Sequence, residues 1–130
     1  LRVQAKAMLE RETLLQFAPD GVNREQALCY HKFSLQFLLA AGLAARANGD
    51  DFSASFWSRI EAAMTFLASV MDCHGNVPAI GDSDDGEVWG LAQGEDFNSY
   101  RSIVAIGAAV FQRADLQAKV AACGSGQDPQ

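Results

Sequence analysis

Between residues 60 and 100 the chain has no lysine or arginine, while Glu61, Asp72, Asp82, Asp84, Asp85, Glu87, Glu95 and Asp96 all fall there. The whole chain carries a net charge of −6, so the residues outside this segment sum to +2. An acidic segment repels phosphate, and no basic stripe interleaved with aromatics offsets it, which excludes nucleic acid as the expected partner. Long apolar runs are missing too. The nearest, residues 33–45, is interrupted by Ser34, Gln36 and Gly42 and falls short of the roughly 18 residues that a membrane span needs. The first residues lack the charged, apolar and small-residue zones of a signal peptide. The chain opens without Met in helix-like sequence, which leads us to expect an upstream segment.

Cysteine is scarce: Cys29, Cys73 and Cys123 are odd in number and lack metal-ligand spacing. A disulfide scaffold is not expected at this size, although one pair could still bridge. Cys29, within an apolar helix, reads as a small buried hydrophobe. There is no Walker loop, dinucleotide fingerprint or Ser-His-Asp order, and no cofactor is expected.

What is present is a helical pattern. With 130 residues, 49% hydrophobic and 20% charged, the chain can build one core. Residues 2–17 read as a first helix, with Val3, Ala7, Leu14 and Phe17 among its apolar positions, closed by Pro19-Asp20-Gly21. Asn23 followed by Gln26 resembles a capping box opening a second helix over 24–47. That helix is apolar nearly all round, so it should be buried on most sides. Asn48-Gly49 ends it, and Asp50-Asp51-Phe52-Ser53 opens a third. Phe56, Ile60, Ala63, Met64, Leu67, Val70 and Met71 give the third a one-sided stripe, predicting an outer helix hairpinned to the buried second.

Residues 72–97 form a long irregular segment with five glycines, Gly75, Gly81, Gly86, Gly90 and Gly94. Loops of this length are functional or disordered more often than not. Apolar patches at 77–80 and 88–91 should pin it down. Asn98 or Ser99 caps a fourth helix to Phe111, and 115–122 can start another. The expected fold class is all-α, with one domain over 1–123 and a tail, 124–130, too polar to fold.

Two short motifs stand out. Asp20-Gly21-Val22-Asn23-Arg24-Glu25-Gln26 leads into a helix carrying Tyr30-His31, and fifty residues later comes Gly81-Asp82-Ser83-Asp84-Asp85-Gly86. Their order and separation, spanning residues 9 to 111, resemble the helical toroid domain of heparinase II/III-like polysaccharide lyases. The resemblance implies helical hairpins from an incomplete (α/α) toroid. It also implies β-elimination on uronic-acid glycans such as glycosaminoglycans: the C5 proton is removed, the C4–O bond breaks, and a C4–C5 double bond remains. A tyrosine can act as base or acid there if its pKa, ordinarily about 10, is lowered by cationic neighbours. Tyr30 matches the family tyrosine of the Tyr-His step.

His31 projects about 100° around the helix from Tyr30. It is a candidate cation for the cleft, with a satisfied structural histidine as the simpler reading. Gln26, one turn before Tyr30 on the expected helix, and Arg24 are candidate sugar contacts; Lys32 is a second flanking cation. Asp82, Asp84 and Trp89 are candidates to line the sugar cleft, with Tyr100 as a further stacking surface. The acidic loop fails the EF-hand pattern, since Gly81 would hold its first ligand position; capping, arginine pairing or sugar contact are stronger readings than a metal site. The resemblance further implies that missing N-terminal toroid helices and a C-terminal β-sandwich complete the cleft. The isolated chain is then expected to be inactive, and its setting the periplasm or cell exterior. A non-catalytic glycan- or protein-binding module, or a glycoside hydrolase on a similar toroid, fits the same residues.

Overall fold

The computed structural model describes residues 2–83, 86, 88 and 97–124. Its order is α1 (Arg2–Gln16), α2 (Leu28–Ala47), α3 (Ala54–Val70), α4 (Ser99–Val110) and α5 (Ala114–Gly124). The fold is all-α. The expected tail beyond residue 124 lies outside the described residues.

Local chemistry sets most helix ends. Ser53 caps α3 by accepting the Phe56 amide at 3.3 Å, and Asn98 caps α4 by accepting the Arg101 amide at 2.9 Å. Asp50 and Asp51 precede α3 rather than opening it, and they knit three segments together. Asp50 pairs with Lys6 at 2.9 Å and Arg2 at 3.2 Å. Asp51 accepts the Trp57 indole N–H at 2.7 Å and Arg46 Nε at 3.0 Å, and the Trp57 bond leads in holding its carboxyl below the usual range. The Arg46 guanidinium lies 4.0 Å from the centroid of the Trp57 ring.

The expected roles of α2 and α3 are exchanged. The predicted stripe is buried: Phe56, Ile60, Ala63, Met64 and Leu67 have no exposed surface. Yet α3 is not an outer helix, for it packs against each of the other four. Burial of this stripe removes large apolar surfaces from water and is the main source of stability. Close approach is allowed by two helical glycines, since a Cβ at Gly42 would meet Trp57 at 2.6 Å and one at Gly107 would meet Met64 at 2.5 Å.

Helix α2, by contrast, has a wet side. Phe33 and Phe37 are 44% and 48% exposed, while His31, Lys32 and Gln36 are buried. Helix α1 turns Leu9 and Thr13 inward, with Phe17 just past its end, and leaves Val3, Ala7 and Leu14 exposed, so three of the four expected apolar positions face water. It packs on α3, and a groove is left between α1 and α2.

Candidate functional site

The groove runs past the start of α2. The chain leaves α1 through a tight turn: Ala18 donates to the Val22 carbonyl at 2.8 Å, Gly21 to Ala18 at 2.9 Å, and Arg24 to Gln16 at 2.9 Å. Gly21 has φ +89° and lies so close to α3 that a Cβ would sit 2.2 Å from the Ala62 carbonyl oxygen. Arg59 on α3 donates to the Phe17 carbonyl and to that of Leu14, tying off the end of α1.

Asn23 does not cap α2. Its Oδ1 accepts the Glu25 amide at 2.9 Å, closing an Asx turn on its own segment. Gln26 follows at φ +56°, and the helix starts only at Leu28 with Ala27 extended before it. The expected capping box is therefore absent, and Gln26 does not stand on Tyr30's helical face.

The missing cap is supplied by the acidic loop. Leu28 N–H donates to the Ile80 carbonyl at 3.2 Å, and the Cys29 thiol to the Asp82 carbonyl at 2.8 Å. Gly81, at φ +74°, allows this approach, because a Cβ there would lie 2.6 Å from that of Ala27. Further along, Val88 N–H donates to Gln36 Oε1 at 3.0 Å. The two sequence motifs thus meet: Ile80, Asp82 and Val88 are bonded to the N-terminal half of α2. Cys29 is buried as expected, and all three cysteines are free.

Tyr30 sits on that first turn, half-buried. It borders a cavity of about 440 Å³ with Leu9, Glu12, Gln16, Glu25, Phe33, Ser34, Phe37 and Leu38. It also borders a smaller one of about 140 Å³ with Cys29, Phe33 and Gly86. Tyr30, Phe33 and Phe37 stand at i, i+3 and i+7, so one aromatic edge runs along the groove. Past Leu9 the groove continues into a cavity of about 370 Å³ bordered by Arg2, Lys6 and Asp50.

The other candidate residues are dispersed. Arg24 is exposed on the turn next to Glu25 and makes no ion pair among the described residues. Lys32 is buried, donating to Ser99 Oγ at 3.2 Å with its ammonium 5.1 Å from the centroid of the Tyr100 ring, which ties it to α4. Asp82 is exposed on the rim above Cys29. Asp84 and Trp89 lie outside the described residues. Among the described residues no three His, Cys, Asp or Glu side chains converge as metal ligands.

His31 points the other way, into the core. Nε2 donates to the Ala63 carbonyl at 3.0 Å, and the ring lies between Phe17, edge-on at 5.1 Å, and Phe66 at 5.3 Å. Burial pushes its pKa down to about 4, against a smaller upward pull from the Ala63 bond, so the ring is neutral at pH 7. Sequence reasoning missed Glu12, Glu25, Phe33 and Phe37 as neighbours of Tyr30. The i, i+3, i+7 spacing was the available signal for the phenylalanines.

A family model described as Heparinase II/III N-terminus matches residues 1–104. The chain belongs to that family. The match runs from α1 into α4 and takes in both motifs. No curated protein and no solved structure matches the chain.

Proposed function

We propose that this heparinase II/III N-terminus chain is part of a polysaccharide lyase, and that Tyr30 handles the proton in β-elimination on a uronic-acid glycan. One observation carries the reading: Tyr30 borders both the larger cavity of the groove and the smaller one beside Gly86. A phenolate there takes the C5 proton. The C–H electron pair becomes the C4–C5 double bond, the C4–O4 bond breaks, and the leaving O4 takes a proton from the tyrosine hydroxyl. Phe33 and Phe37 offer sugar rings an apolar edge. His31 is a positioning residue: its bond to Ala63 fixes the first turn of α2 on α3, one residue from Tyr30.

Substrate charge is met away from Tyr30, by Arg24 on the turn and by Arg2 and Lys6 farther along the groove. Gln26, Asp82, Asp84 and Trp89 complete the sugar contacts in this reading. The cavity beside Tyr30 is bordered by Glu12 and Glu25 and by no cation among the described residues. The group that neutralises the uronate carboxylate therefore comes from elsewhere in the parent protein. In this reading the α2–α3 hairpin is one unit of an (α/α) toroid that further N-terminal helices and a C-terminal β-sandwich complete.

Glu12 and Glu25 on one cavity also favour a second reading, glycoside hydrolysis by paired carboxylates. The deciding experiment follows ultraviolet absorbance and reducing ends while the parent protein acts on a panel of uronate polysaccharides. Lyase chemistry gives rising absorbance that Tyr30→Phe reduces by about 10²-fold or more. Reducing ends without absorbance overturn elimination in favour of hydrolysis. Binding without either product leaves a glycan-binding module and overturns both.

A further inference from the structure

Past Met71 the chain makes a tight turn against the start of α4, and the end of α5 lies on that turn. The Asp72 carboxylate accepts the His74 and Asn76 amides, each at 2.8 Å, and Asn98 Nδ2 donates to the Gly75 carbonyl at 2.9 Å. Lys119 holds α5 to the Met71 carbonyl, and the Cys123 thiol donates to the Asp72 carbonyl at 3.3 Å. None of these residues borders a cavity of Tyr30.

Two cysteines of unlike access meet in this corner. Cys73 is exposed in the turn, with Sγ 3.3 Å from Nδ1 of the exposed His74, a base within reach of its proton. Cys123 is 5% exposed and shielded from bulky reagents. Standard peptide geometry puts the Asp72 carbonyl oxygen about 2.8 Å from the Cys73 Cα. Cys123 Sγ therefore stands within about 6 Å of that Cα. A disulfide spans about 4.4–6.8 Å between its Cα atoms. The remaining adjustment falls to rotation of the Cys73 side chain and to the last turn of α5, since helix ends open at little cost. Among the described residues no third ligand joins Cys73 and His74 for a metal. Cys29 is buried at the start of α2, with its thiol on the Asp82 carbonyl.

We propose that Cys73 and Cys123 are a thiol–disulfide exchange pair, which small-molecule disulfides oxidise to a crosslink between the 72–76 turn and α5. The Cys73 sulfur attacks the small disulfide and forms a mixed disulfide, while its proton passes by way of His74 to the released thiol. The Cys123 sulfur then attacks the Cys73 sulfur, the mixed S–S bond breaks, and the second small thiol leaves with the Cys123 proton. The protein gives up two electrons and two protons, and the small disulfide gains both. A covalent bond thereby replaces a weak thiol–carbonyl hydrogen bond and closes a loop of about fifty residues that contains α4. This site is independent of the chemistry proposed for Tyr30.

The test incubates the 130-residue chain with excess oxidised glutathione, then alkylates it under denaturing conditions and maps its peptides by mass. Cys73 and Cys123 should be linked and Cys29 alkylated. The melting temperature should rise with the link, and a reductant should reverse both changes. Cys123→Ser should stop at the glutathione adduct on Cys73, and Cys123→Ala is the substitute if that variant does not fold. Cys73→Ser, a change in an exposed turn, should take up at least tenfold less glutathione. An unaltered chain that takes up no glutathione, stops at the adduct, links through Cys29 or joins two chains through Cys73 overturns the proposal. So does a Cys73→Ser chain that reacts as readily as the unaltered one, because the buried thiol would then need no exposed partner.

Discussion

His31 is the residue whose ionisation is most closely tied to the fold. Its folded pKa of about 4 lies below the ordinary 6.5, so between those values the unfolded chain binds a proton that the native chain refuses. Stability from the neutral ring is fully present above pH 6.5 and drains away as the pH falls toward 4. The shift corresponds to about 3 kcal/mol. Urea titrations at pH 7 and pH 4 should show a loss of that order beyond what the exposed carboxylates contribute. His31→Phe should flatten this component while costing about 1–2 kcal/mol at pH 7, because the Ala63 carbonyl loses its donor. The Tyr-His motif singled out Tyr30, which borders the groove. Burial of His31, Lys32 and Gln36 was not legible in the sequence, because their partners, Ala63, Ser99 and Val88, stand 32, 67 and 52 residues away.

Among the elements, helix existence was legible and helix beginnings were less so. Ser53 and Asn98 act where a cap was read or sits next to one, because their bonds are local. Ser53→Ala should cost about 1 kcal/mol in thermal or urea unfolding. The start of α2 misled because Asn23 spends its oxygen on its own turn and a remote segment, 80–82, supplies the acceptors. No local pattern encodes that. Gly21→Ala should be more damaging than the Ser53 change, at about 2 kcal/mol or more, since it meets both an unfavourable φ and the backbone of α3. A melting-temperature series containing both variants checks the order. The exchange of roles between α2 and α3 has a similar origin. Apolar composition named α2 as the buried helix, yet its aromatics line a groove while its polar side chains find distant partners inside.

At the scale of the whole molecule, this chain does not bring together every group that elimination needs. Tyr30 has a cavity, but carboxylates border it and the cations stand along the groove or on the turn. The 130-residue chain alone should therefore give no double-bond absorbance on any uronate polysaccharide while its circular dichroism remains helical. Turnover by the isolated chain would refute this division of labour. Because α3 touches every other helix, its departure removes the one packing partner common to all of them. Helix α5 rests on α4 and α3, tethered by Lys119 to the Met71 carbonyl and by the Cys123 thiol to that of Asp72. The molecule should come apart in a fixed order, which native-state amide exchange would record. Amides of α5 would exchange through partial openings, and those of α3 only when the entire chain lets go.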